Sequence, residues 1–155
     1  MERIASFTVN HNVLVPGLYL SRRDGEVSTF DLRFKKPNTG DLLTNAQLHS
    51  VEHMIATLLR NSPERDAVIY FGPMGCQTGF YFLFDSRRLT DAEAIALLQR
   101  VFTAGAAYDG PMPGKSAAEC GNYRNLDAAL GRACCAFYAD VIRRWTPEDL
   151  VYPEA

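Results

Sequence analysis

Two aromatic-rich stretches, AVIYF (67–71) and GFYFLFD (79–85), flank the turn-like segment GPMGCQT, and this arrangement constrains the fold more than any other feature of the chain. Aromatic and β-branched residues suit a pleated, half-buried surface, so both stretches read as strands paired like a hairpin. In the second, Phe80, Phe82 and Phe84 share one face and Tyr81 and Leu83 take the other. EVSTFDLRFKKPN alternates Phe30, Leu32 and Phe34 against Asp31, Arg33 and Lys35, the period of a strand with one wet face, ended by Pro37. ASFTVNHN and GLYLSR are weaker strand candidates near the start. Three helices are expected. The first follows Thr44 or Asn45 and runs to about Arg60, and the second opens on the capping box Thr90-Asp91-Ala92-Glu93. The third starts near Asn125, with Leu126, Leu130, Ala133, Phe137, Val141 and Ile142 at helical spacing. The resulting expectation is an α+β fold: a largely antiparallel β-sheet with helices packed on it.

One domain spanning 1–155 suits this length, and 47% hydrophobic against 22% charged residues is an ordinary globular balance. A net charge of −2 supplies no electrostatic reason for a nucleic acid or an anionic membrane as partner. MERIASFTVNHN lacks the apolar run of a secretory signal, and no stretch approaches membrane-spanning length, so a cytoplasmic location is expected. In such a compartment the four cysteines, Cys76, Cys120, Cys134 and Cys135, are expected as free thiols.

HSVEH lies within the first helix. At about 100° per residue, Leu48, Val51, Ile55, Leu58 and Leu59 form its apolar face. His49 and His53 lie beside that face one turn apart, with Glu52 at its edge. Imidazoles at i and i+4 can reach one ion, and Glu52 between them could move protons. The plain alternative is an amphipathic helix whose polar residues happen to be these three. Economy weighs against it, because the chain has only three histidines and HxxEH is a known zinc-helix pattern.

A catalytic metal site commonly has three protein ligands and one open position. Cys120, in the polar loop SAAECGNYRN, is off any core stripe and offers a soft third ligand; a small residue under a loop is the alternative. Cys76 sits among small residues at the bend between two strands, where a thiol can be exposed and reactive or simply buried at a strand end. Cys134 and Cys135 read as structural, and His11 on its own as a surface histidine.

Taken in order, SFTVNHN, FDLRFKKPN, HSVEH, GPMGCQTGFY and ECGNYRN resemble the LuxS family of S-ribosylhomocysteine lyases over nearly the whole chain. The resemblance implies cleavage of S-ribosylhomocysteine to homocysteine and 4,5-dihydroxy-2,3-pentanedione, the precursor of autoinducer-2. It implies one divalent metal ion per subunit on His49, His53 and Cys120, ferrous natively and replaceable by zinc or cobalt. It implies Glu52 and Cys76 as acid/base groups, and Ser6, His11, Arg33 and Tyr81 at substrate-binding positions. It also implies a homodimer with active sites at the interface, His11 reaching across. One departure stands out: where some relatives carry an aspartate six residues before the reactive cysteine, this chain has Tyr70, which does not duplicate a carboxylate. Two rival readings remain, an HxxEH-type zinc metallopeptidase and a non-catalytic module whose structural metal takes Cys76 as fourth ligand.

Overall fold

A computed structural model, describing residues 1–154, contains a four-stranded antiparallel sheet in the order β1-β2-β4-β3. Its strands are β1 (Gly17–Asp24), β2 (Val27–Arg33), β3 (Val68–Pro73) and β4 (Gly79–Asp85). The aromatic pair flanking Cys76 is the β3–β4 hairpin, with Phe71 opposite Phe82 and Pro73 opposite Phe80. GLYLSR lies in β1, as expected. ASFTVNHN does not form a strand: its Ala5–Phe7 segment is a 3-10 turn and no partner strand takes up its backbone. β2 stops at Arg33, before Pro37, because the N–H groups of Phe34 and Lys35 both turn to the Thr78 carbonyl. Gly79 lies opposite Arg33, and a Cβ there would stand 2.2 Å from the Leu32 carbonyl oxygen, so glycine is what permits the β2–β4 ladder at this point.

Helices α1 (Asn45–Arg60), α2 (Asp91–Ala107) and α3 (Ala128–Val141) pack on one face of the sheet. Thr44 and Gln47 close a capping box on α1, and Thr90 with Glu93 closes another on α2. Phe30, Leu32, Phe80, Phe82 and Phe84 point into this layer and are fully buried with Val51, Met54, Ile55, Leu98 and Phe102. α3 begins later than its apolar spacing suggests, with Asp127 accepting from the N–H groups of Ala129 and Leu130. Its buried face is also rotated: Gly131, Cys134, Cys135 and Tyr138 are inside, while Phe137 is exposed. Tyr138 wins the core position because its ring stacks on Phe34 and its hydroxyl donates to the Gly17 carbonyl at 2.8 Å. Burial pushes the Cys135 thiol up to about 12, in keeping with a structural role. Among the described residues, no helix is long and apolar enough to cross a membrane.

The other face of the sheet corrects the wet-face expectation. Asp31 and Arg33 are only 2% and 3% exposed. Both charges are kept inside because they satisfy each other: Arg33 Nε donates to Asp31 Oδ1 at 3.1 Å and Nη2 to Oδ2 at 2.6 Å. Burial works against the Arg33 guanidinium, but the carboxylate beside it outweighs that cost and holds it above its usual range. Across the same face lie Tyr19, Asp31, Tyr81 and Gly72 in register.

Candidate active site

Two groups of side chains concentrate the chemistry. The first is built on α1. His49 and His53, one turn apart, bring their Nε2 atoms to 3.1 Å, and Cys120 Sγ lies 3.3 Å from His49 Nε2. The three donor atoms lie within 4.8 Å of one another. Asn125 Nδ2 donates to Asn45 Oδ1 at 2.6 Å, which turns Asn125 Oδ1 toward His49 Nδ1, also at 2.6 Å. The Pro113 carbonyl accepts from His53 Nδ1 at 3.0 Å. Gly114 makes this approach possible: its φ is +69°, and a Cβ would lie 2.7 Å from His53 Nδ1. Both Nδ1 atoms therefore carry hydrogen, and in the neutral imidazoles both Nε2 atoms carry lone pairs.

Two such lone pairs at 3.1 Å repel unless a proton or a metal cation lies between them. A thiol hydrogen from Cys120 could satisfy one nitrogen but not both. In a tetrahedral site with metal–nitrogen bonds of about 2.0–2.1 Å, nitrogens stand about 3.3 Å apart, so the spacing fits a divalent ion. The loop supports this: Cys120 N–H and Glu119 N–H both donate to the Ser116 carbonyl, and Asn122 N–H lies 3.5 Å from Cys120 Sγ. Buried Ser50 accepts from Asp127 N–H at 2.9 Å, tying the end of the same loop to α1. Glu52 is half-buried on α1, next in sequence to His53.

The second group surrounds Cys76, an exposed free thiol. Gln77 adopts φ 63°, unusual for a residue with a side chain. The strain is held by a reciprocal pair of bonds at 2.9 Å, Leu43 N–H to the Gln77 carbonyl and Gln77 Nε2 to the Leu43 carbonyl. Cys76 Sγ thereby lies 3.0 Å from Thr78 Oγ1 and 3.9 Å from Arg33 Nη1, which itself donates to Thr78 Oγ1 at 2.7 Å. A cavity of about 320 Å³ is lined by Ser6, His11, Arg33, Cys76 and Tyr81, among others. His11 Nδ1 donates to the Val9 carbonyl at 2.9 Å. Burial raises the Tyr81 phenol above its ordinary range, with Asp31 adding to the effect. Tyr70 lines the neighbouring cavity, which shares Ser6 and Tyr81 with the first.

Cys76 is not part of the three-atom donor group, and neither His49, His53 nor Cys120 lines the Cys76 cavity. Sequence reading missed the groups that orient these side chains, namely Asn125, the Pro113 carbonyl, Thr78 and Asp31. Only Asp31 carried a signal, as an opposite charge two residues from Arg33 on one strand face.

A family model described as S-Ribosylhomocysteinase (LuxS) matches residues 4–148. The S-ribosylhomocysteine lyase of Finegoldia magna is 41% identical over 158 residues, covering 99% of this chain and 100% of the relative. That of Clostridium beijerinckii is 40% identical over 159 residues, and that of Desulfotalea psychrophila 41% over 159, each covering 99% of both chains. With the antiparallel sheet, the three helices and the His-His-Cys group in place, these matches show that the chain belongs to the S-ribosylhomocysteinase (LuxS) family.

Proposed function

We propose that this chain is an S-ribosylhomocysteine lyase, a single catalytic domain over 1–155 that releases homocysteine and 4,5-dihydroxy-2,3-pentanedione in the cytoplasm. The observation that carries the reading is the convergence of two lone-pair imidazoles and one sulfur at 3.1 and 3.3 Å in a chain of this family. His49, His53 and Cys120 would hold one divalent ion, ferrous natively, with zinc or cobalt able to replace it; a nitrogen–sulfur donor set suits all three. When bound, the ion supplies Lewis-acid stabilisation of the negative charge that develops on the sugar oxygens.

The chemical problem is an unactivated carbon–sulfur bond broken without redox change. Moving a carbonyl along the opened sugar acidifies the hydrogen that must leave before homocysteine can. Cys76, as thiolate, takes and returns carbon-bound protons on one side of the sugar. Arg33 is committed to Asp31 through Nε and Nη2, so Nη1 is left to steady Thr78 and the thiolate. Glu52 moves protons among the oxygens and makes the final abstraction. Ser6, His11 and Tyr81 line the Cys76 cavity, which supports a substrate-binding role for them beside Arg33.

A homodimer completing each site at its interface fits the exposure of two apolar side chains beside Cys76, Phe7 and Leu42. The rival structural module needs Cys76 as a fourth ligand, and Cys76 is bonded instead within the Arg33–Thr78 group. The test of the acid/base assignment is Glu52→Gln. The variant is expected to keep its metal and its unfolding midpoint while kcat for thiol release falls about 10²–10⁴-fold. Near-normal homocysteine release would remove Glu52 from the mechanism.

A further inference from the structure

The sheet face opposite the helices carries a line of polar contacts that runs from Tyr152 to the reacting thiol. Tyr152 lies beyond the stretch matched by the family model. Its ring stacks on Tyr19, with centroids 5.0 Å apart and planes 22° from parallel. Just before it, the Leu150 carbonyl accepts from Leu20 N–H at 2.8 Å, which pins the tail to β1. The Tyr152 hydroxyl donates to Asp31 Oδ2 at 2.7 Å, the same oxygen that accepts from Arg33 Nη2 at 2.6 Å. Arg33 Nη1 then meets Thr78 Oγ1 at 2.7 Å and stands 3.9 Å from Cys76 Sγ.

We infer that Tyr152 is a positioning residue for Cys76, acting through Asp31 and Arg33. The inference rests on the reading of Cys76 as the reacting thiol. A guanidinium is a rigid planar fork, so the grip of Asp31 on Nε and Nη2 sets where Nη1 points. Tyr152 shares the charge of Asp31 Oδ2 with that fork. Without the hydroxyl, the whole carboxylate charge falls on Arg33, draws the guanidinium back, and leaves more negative charge behind the thiol. Both changes reduce the positive potential at Cys76 Sγ, and with Asp31 and Arg33 nearly dry, solvent screens them little. The titratable groups facing Cys76 are Arg33 from β2, Tyr81 from β4 and His11 from the N-terminal segment. Of these, Arg33 is the one bonded to Asp31. Burial, and then the Asp31 carboxylate, hold the Tyr152 phenol well above its ordinary range, so it stays a donor.

Tyr152→Phe removes the hydroxyl and keeps the ring on Tyr19. Alkylation of Cys76 by iodoacetamide, read on its own peptide by mass spectrometry in metal-loaded full-length protein, reports the thiolate. At about pH 7 the variant is expected to react about three- to tenfold more slowly, tenfold corresponding to one pH unit. At about pH 10.5, well above the ordinary thiol range, the two proteins are expected to react alike. Equal rates at pH 7 overturn the inference. Equal slowing at both pH values also overturns it, because that outcome reports access rather than charge. Thiol release by the same samples separates the two claims. Slowed alkylation at pH 7 with unchanged release upholds the coupling through Arg33 and removes Cys76 from the chemistry.

Discussion

Cys120→Ala is expected to yield a folded protein that retains little metal and releases homocysteine at least about a thousandfold more slowly, the several kcal/mol of charge stabilisation that a Lewis acid supplies. Cys120 would be the only anionic donor in the group, so its loss leaves two neutral imidazoles facing a dication. The imidazoles themselves stay in place, because Asn125 and the Pro113 carbonyl hold their Nδ1 atoms independently of the sulfur. The fold should be nearly indifferent: Cys120 is only partly buried, on a loop held by backbone bonds to Ser116. Metal content per chain after gel filtration, with a thermal unfolding curve of the same sample, reads both halves of the expectation. Full occupancy in the variant would remove Cys120 from the ligand set.

Cys76→Ala is expected to give the opposite pattern, full metal content with turnover lowered about 10²–10⁴-fold. Its sulfur contacts Thr78 and Arg33 and none of the three donor atoms, so the ion should not register its loss. The local backbone should survive as well, because the left-handed turn at Gln77 is held by Leu43 on either side of one peptide rather than by the thiol. Cys76→Ser keeps an oxygen where the sulfur bonds Thr78 but is a far weaker acid, and is expected to fall nearly as far in activity. A metal-free Cys76→Ala protein would contradict the separation of the two groups and with it the role of Cys76 as base.

Features encoded by local periodicity are legible in the amino-acid sequence alone. The β3–β4 hairpin, the three helices and the capping box at Thr90 each depend on residues within a turn or two of one another. His49 and His53 belong to this class, since four residues along a helix bring side chains to one ion. What escapes such reading is whatever depends on distant partners. Asp31 and Arg33 read as a wet strand face because charged residues usually are; their burial depends on Thr78 and Tyr152, far along the chain. On α3, counting apolar residues favours Phe137 over Tyr138, because the Gly17 carbonyl that accepts the Tyr138 hydroxyl leaves no mark in the helix itself. The Pro113 carbonyl that orients His53 is a backbone group, and any residue can supply one.

Release of free thiol from S-ribosylhomocysteine by protein purified without oxygen, with metal analysis of the same sample, bears most directly on a divalent ion held by His49, His53 and Cys120. About one ion per chain, thiol release that stops when a chelator strips it, and recovery on adding ferrous, zinc or cobalt ion is the predicted result. Undiminished release from metal-free protein, or none from fully loaded protein, would contradict it.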